Sequence, residues 1–193
     1  MFKTLFSQVK SAGLILVFLS IVTGLIYPLT ITMIAELSFP WQANGSLVES
    51  QGSIIASVLI GQSMISPRYF WGRPSETMPF PYNSESSSGS NSGPSNEAYL
   101  ARVGARVNDL KKWDFSSNKA IPVDLVTASG SGLDPDISPQ AAYYQVSRIA
   151  KARQLSEEDV TSLVDEHIQK RTFGILGEPR INVLSLNLAL DNL

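Results

Sequence analysis

The stretch SAGLILVFLSIVTGLIYPLTITMIA, residues 11–35, carries no charged side chain, and its reading decides how the rest of the chain is understood. About 20 helical residues at 1.5 Å rise cross the roughly 30 Å hydrocarbon core of a bilayer, and this run is longer. It predicts a transmembrane helix. A cleaved signal peptide would have an apolar region of about 7–15 residues closed by small residues of the A-x-A type, and neither feature is present. Lys3 and Lys10 precede the run, Glu36 and Glu49 follow it, and the next positive residue is Arg68. The excess of lysine on the first side places the N-terminus in the cytoplasm and the remainder outside. The expected organisation is residues 1–10 cytoplasmic, 11–35 spanning the membrane, and 36–193 forming one exoplasmic domain. A remainder of roughly 150 residues suits a single core.

Inside the anchor, Ser20 and Gly24 lie four apart on one face, a small-xxx-small spacing that lets a second helix approach closely. Glycine is also simply commoner in membrane helices, so the spacing alone leaves both readings open. Pro28 lacks a backbone donor and is expected to kink the helix.

Composition removes several function classes. The formal net charge of -2 gives no basic face for neutralising phosphates, which argues against nucleic-acid binding. Cysteine is absent, so disulfides, thiolate metal sites and thiol nucleophiles are absent with it.

Beyond the anchor, Trp41 reads as an interfacial aromatic, Asn44-Gly45 as a turn, and the apolar residues 54–60 as a strand. Residues 67–96 are rich in proline, glycine and serine, and no regular element is expected there; the segment reads either as a flexible loop or as an ordered docking loop. Ser95 or Asn96 can cap a helix reaching Trp113, whose stripe of Tyr99, Leu100, Val103, Val107 and Leu110 should pack on a sheet. IPVDLVTAS, residues 121–129, reads as a buried strand. Ser138 caps a helix with Pro139 at its first position, ending near Arg153. Ser156 and Asp159 form a capping-box-like start for another helix with Val160, Leu163, Val164 and Ile168 inward. INVLSLNLAL, residues 181–190, reads as the last strand. The fold class is therefore α/β or α+β: a single N-terminal transmembrane helix followed by one small mixed domain.

Catalytic constellations are sparse. Ser129 and Ser131 are flanked by glycine, yet the Gly-x-Ser-x-Gly elbow is not formed. His167, the single histidine, lies beside the apolar stripe of its helix, where a packing role competes with that of a general base. One histidine and no cysteine leave nothing for a zinc site, and no phosphate-binding G-x-x-x-x-G-K-[ST] loop occurs. The residues alone lead to a membrane-anchored exoplasmic module.

Six strings in order carry a resemblance: TGLIYPLTITMIAELSFPWQANGSL from Thr23, LIGQ from Leu59, YFWGRPS from Tyr69, SGSNSGPSN from Ser88, VDLVTASGSGLDPDISPQAAYYQVSRIAKAR from Val123, and GEPRINVLSLNLALD from Gly177. Together they resemble the C subunit of the Kdp-type potassium-transporting P-type ATPases of bacteria, over the whole length from the anchor onward. One departure is Asp136, where many members have histidine or asparagine. The resemblance implies a noncatalytic accessory subunit of an ATP-driven, high-affinity potassium uptake complex, needed for assembly and coupling. Its implied partners are a channel-like potassium-binding subunit, an ATP-hydrolysing subunit and membrane lipid. The resemblance also implies a catalytic-chaperone role that raises ATP affinity, with Gln145 as nucleotide contact and ATP the one cofactor in question. Against this stand a polar Gln145 that merely satisfies hydrogen bonds, and a topology that puts it across the membrane from the ATP pool.

Arg73, between Gly72 and Pro74, is the candidate for an interface on the domain, since a guanidinium can anchor a partner's carboxylate; an ion pair within its own domain is the alternative. A free-standing exoplasmic ligand-binding or sensor domain, and a membrane-tethered hydrolase using Ser131 and His167, are the competing functional readings.

Overall fold

The computed structural model describes residues 2–50, 52–113 and 119–193, and the side chains of residues 2 and 3, Lys3 among them, fall outside that description. The chain forms two compact units, Met1–Ser57 and Val58–Leu193.

The first unit begins with one continuous rod: α1 (Phe2–Ile21), a π-helical turn (Val22–Ile26) and α2 (Tyr27–Ser38). Pro28 explains the turn. It cannot donate to the carbonyl four residues back, and its ring would collide with that carbonyl. Widening the preceding turn, so that the Tyr27 amide bonds to the Val22 carbonyl, accommodates both defects within the helix. The disturbance expected at Pro28 takes this form. Thr23 and Thr30 turn their hydroxyls back to the carbonyls of Leu19 and Ile26, each at 2.7 Å, so both polar groups are satisfied within the helix. The 35 residues Thr4–Ser38 are long and apolar enough to cross a membrane, and their most apolar window is 0% buried within the chain.

A short helix, α3 (Pro40–Ala43), leads through Asn44 and Gly45 into an antiparallel hairpin, β1 (Leu47–Ser50) and β2 (Ser53–Ser57), with a bulge between Val48 and Glu49. Trp41 Nε1 donates to the Leu47 carbonyl at 2.8 Å, and Ser57 Oγ to the Gly45 carbonyl at 2.6 Å. The strand expected over 54–60 is thus shorter, more exposed and paired with a strand the sequence did not announce: LVES holds two adjacent apolar residues and no alternation.

In the second unit, α5 (Pro139–Arg153) packs on α6 (Glu157–Glu166), which meets α7 (Val183–Leu190). Ile149, Val160, Val164, Leu186 and Leu190 fill the space between them, joined by Phe70 from the irregular segment and Ile181 from the short strand β4 (Ile181–Asn182). β4 pairs antiparallel with β3 (Asp136–Ile137), the only sheet of this unit among the described residues. The caps expected at Ser138 and Ser156 are formed, accepting from Ala141 N and Asp159 N. α4 (Glu97–Trp113) is capped by Asn96 and presents Val103, Val107 and Leu110 to the core. The fold is a small mixed domain of helices and a few strands.

Three local expectations are corrected. Residues 121–129 contain a single 3₁₀ turn, Val123–Leu125, in place of a strand. Pro122 supplies no ladder donor, Thr127 bonds back to the Val123 carbonyl, and the buried pair Leu125 and Val126 is consecutive, incompatible with the two-residue period of a sheet face. The run from Val183 is α7, not a strand. Asn182 caps it by accepting from Ser185 N at 3.0 Å, and Val183, Leu186, Asn187 and Leu190 are buried at helical spacing. Among the described residues the only sheet of this unit is the two-residue pair β3–β4, and α4 does not pack broadly on it. It is instead tied by Arg106 to Glu76 Oε1 at 2.5 Å and to the Val126 carbonyl at 3.2 Å.

Candidate functional site

The YFWGRPS string lies at the centre of the second unit. Among the described residues no strand pairs with its backbone, so its peptide groups need other partners. Two side-chain amides provide them. Asn187 of α7 accepts from Phe70 N through Oδ1 at 2.8 Å and donates to the Phe70 carbonyl through Nδ2 at 3.0 Å. Gln145 of α5 does the same for the next residue, accepting from Trp71 N at 2.8 Å and donating to the Trp71 carbonyl at 3.1 Å. Successive residues of an extended chain present their peptide groups to opposite sides, so the two amides take the places of flanking strands.

Two arginines of α5 complete the clamp. Arg148 donates to the carbonyls of Pro67 and Tyr69 at 2.5 and 3.1 Å, and its guanidinium carbon sits 3.9 Å from the centre of the Trp71 ring. Arg153 covers the Tyr69 ring and pairs with Asp191 at 2.5 Å. Desolvated cation–π contacts of this kind contribute on the order of 1–2 kcal/mol each.

Gln145 is only 1% exposed. Its second amide hydrogen goes to the Ala141 carbonyl at 3.1 Å, and its oxygen also accepts from Arg148 Nη2 at 2.6 Å. All four hydrogen-bonding positions of the amide are therefore occupied inside the chain.

The loops that follow are ordered by their own domain. Ser75 Oγ accepts from Tyr82 N at 2.8 Å and donates to the Gly132 carbonyl at 2.7 Å, while the Tyr82 hydroxyl donates to the Arg73 carbonyl. Ser88 N and Ser87 Oγ both reach the Ser131 carbonyl. Glycine is required where these loops touch: a Cβ on Gly89 would fall 2.8 Å from the Gly130 carbonyl oxygen. Ser129 Oγ accepts from Gly132 N and Ser131 Oγ from Leu133 N, so both serines act as turn formers. His167 caps α6, with Nδ1 at 2.8 Å from the Leu163 carbonyl.

Beside this loop cluster opens a cleft of about 650 Å³, lined by Asp124, Asp134, Asp136 and Glu178 with Arg73 and Arg180. Arg73 Nη1 pairs with Asp134 at 3.0 Å and Nη2 reaches the Ala128 carbonyl at 3.4 Å; its Nε is buried without a partner. Arg180 pairs with Asp136 at 2.9 Å. Four carboxylates against two guanidinium groups leave the wall acidic. Asp124 already accepts from Ser138 N at the start of α5, so that helix start faces carboxylates, an unfavourable setting for a phosphate. Burial pushes the Asp136 carboxyl above its ordinary range against the pull of Arg180. Burial, reinforced by the Asp134 charge and opposed by Arg73, pushes the Tyr82 phenol to about 12.

The sequence-predicted residues thus fall in separate places. Arg73 lies on the cleft, in contact with its own domain, and Gln145 lies beneath the clamp. Ser20 and Gly24 lie on the exposed rod, where a Cβ on Gly24 would meet nothing within 4 Å. Asn187, Arg148 and Asp134 were missed. The detectable signal was the polar Asn187 inside an otherwise apolar run.

The family described as "K+-transporting ATPase, c chain" matches residues 9–192. A potassium-transporting ATPase KdpC subunit of Herpetosiphon aurantiacus is 56% identical over 178 residues, 92% of each chain. That of Paraburkholderia phytofirmans is 54% identical over 91% of each. That of Methylococcus capsulatus is 54% identical over 95% of this chain and 97% of the relative.

Proposed function

Since the chain belongs to the K+-transporting ATPase c-chain family, we propose that it serves such a pump as a noncatalytic accessory subunit, assembling with and coupling a channel-like potassium-binding subunit and an ATP-hydrolysing subunit. The observation that carries this reading is that the family match covers the apolar rod and the folded domain together. On this reading the rod crosses the inner membrane with its N-terminus cytoplasmic, meets a partner helix through Ser20 and Gly24, and leaves the domain on the periplasmic side. Support for a noncatalytic role comes from what the reactive side chains do instead: Ser129, Ser131 and His167 are all spent on local backbone groups. Any rise in ATP affinity would act through the assembly, because Gln145 has no free hydrogen-bonding position with which to meet a nucleotide.

The acidic cleft favours a second reading, an anchored domain that binds a small cationic ligand by itself. Co-expression with the two larger subunits separates the two. An accessory subunit leaves the membrane in stoichiometric complex with both, and its deletion abolishes potassium-stimulated ATP hydrolysis. Recovery of the chain alone, with the remaining pump fully active, refutes the proposal. Single cysteines at Ser7 and Ser86 test the topology: an impermeant thiol reagent on intact cells should label the second and spare the first.

A further inference from the structure

Asn44-Gly45 is the single Asn-Gly pair in the chain. It leads from α3 into the hairpin, and the asparagine side chain also fastens the end of the rod. Asn44 Nδ2 donates to Glu36 Oε2 at 3.1 Å and to the Pro40 carbonyl at 2.8 Å, so one amide bridges the last turn of α2 and the start of α3. Both hydrogens on that nitrogen are spent.

An asparagine followed by glycine is chemically reactive, because no side chain shields the glycine nitrogen. That nitrogen attacks Asn44 Cγ and forms a new C–N bond. The Cγ–Nδ2 bond breaks, the Gly45 proton passes to the leaving nitrogen through solvent, and ammonia departs. Water then opens the succinimide at either carbonyl, giving aspartate or isoaspartate. One water is consumed, one ammonia is released, and nothing is oxidised or reduced.

Asn44 is exposed, so burial does not prevent this reaction. Conformation does. Ring closure needs Gly45 N nearly coplanar with the Asn44 carbonyl carbon, Cα, Cβ and Cγ. The Asn44 ψ of 18° instead nearly eclipses Gly45 N with the Asn44 nitrogen and turns it away from Cβ. The nucleophile is also occupied, donating to the Gln42 carbonyl at 3.1 Å, and Ser57 Oγ pins the Gly45 carbonyl at 2.6 Å. The junction must open before the ring can close, so the folded rate is the unfolded-chain rate multiplied by the open fraction.

The product reverses the interaction. An aspartate carboxylate has no N–H to give, and it would face the Glu36 carboxylate and the Pro40 carbonyl, three acceptors without a donor. Isoaspartate also lengthens the main chain by one methylene at the turn that feeds β1.

We propose that Asn44 is a spontaneous modification site held inert by the folded junction, and that its deamidation unfastens the hairpin from the end of the rod.

The full chain is incubated at mildly alkaline pH in detergent and, in parallel, in concentrated urea. Deamidation is followed by intact mass and by peptide mapping that separates aspartate from isoaspartate. The folded chain should react about tenfold more slowly than the chain in urea. Glu36→Ala should raise the folded rate about threefold and leave the urea rate unchanged, while Glu36→Gln, which keeps an acceptor, should stay near the native rate. Asn44→Asp, which installs the product from the start, should speed amide hydrogen exchange over residues 45–50 about tenfold and leave α5 unaffected. Equal rates in detergent and urea, or a Glu36→Ala rate equal to the native one, would overturn the protection. Unchanged exchange over residues 45–50 in Asn44→Asp would overturn the unfastening.

Discussion

Gln145→Leu separates a structural clamp from a nucleotide contact. Leucine has nearly the same volume, so packing is largely kept and the polar losses dominate. Four hydrogen bonds disappear, but they do not weigh equally. Arg148 retains the carbonyls of Pro67 and Tyr69, and Ala141 keeps its intrahelical bond. Trp71, by contrast, loses the partners of both its N–H and its C=O beneath the surface. A buried backbone group left unpaired costs about 1–3 kcal/mol, so the variant should lose about 2–6 kcal/mol of a total stability of about 5–15 kcal/mol. For a domain of this size that corresponds to a fall in melting temperature on the order of 10 °C. The measurement is thermal unfolding of the full chain in detergent, followed by near-ultraviolet circular dichroism. Run in parallel, the apparent ATP affinity of the pump reconstituted with the folded variant should be unchanged. A melting temperature within about 2 °C of the native chain, combined with weakened ATP affinity, would refute the clamp and return Gln145 to the nucleotide.

Gly24→Leu should leave the rod intact, because nothing in the chain lies within 4 Å of the added side chain, yet reduce recovery of the intact complex after detergent extraction; full stoichiometry would show that the Ser20 and Gly24 face has no partner. Tyr82→Phe should remove a pH dependence: the folded phenol holds its proton to about 12, the unfolded one releases it near 10, so stability present below pH 10 is lost on the order of 2 kcal/mol as pH rises from 10 to 12 in the native chain but not in the variant. Identical alkaline denaturation curves would contradict this. Asp136→Asn should gain stability relative to the native chain on going from pH 4 to pH 7, because a carboxyl whose pKa is raised by burial stabilises the fold when protonated and loses that contribution as it ionises. Denaturant titrations at the two pH values that show the opposite trend would place the Arg180 ion pair ahead of the desolvation.

Capping chemistry was legible in the sequence because it is local: Ser138 with Pro139, Ser156 with Asp159, and Asn96 each act within three or four residues of themselves. The rod was legible for the same reason, since hydropathy over a long window needs no tertiary information. The run from Val183 misled because Leu184, Leu186, Leu188 and Leu190 alternate while Val183, Leu186, Asn187 and Leu190 follow a helix; both periods are written in one string. What decides is the cap at Asn182 and the burial of Asn187 against Phe70, a contact 117 residues distant in sequence. The clamp was invisible for a related reason. An amide that replaces a neighbouring strand looks, in sequence, like any surface glutamine. Arg73 was legible as an important residue but not in its direction, because a guanidinium beside a flexible-looking string offers itself equally to a partner or to Asp134.

The amide clamp also sets a timetable. Phe70 leaves the ribosome long before Asn187 exists, and Trp71 waits for Gln145, so the segment gains its hydrogen-bonding partners in two stages, first with α5 and then with α7. Contacts of such sequence separation form late and slowly. A chain cut short at Asn187 would keep Gln145 and Arg148 on Trp71, Pro67 and Tyr69 but leave both peptide groups of Phe70 without their partner.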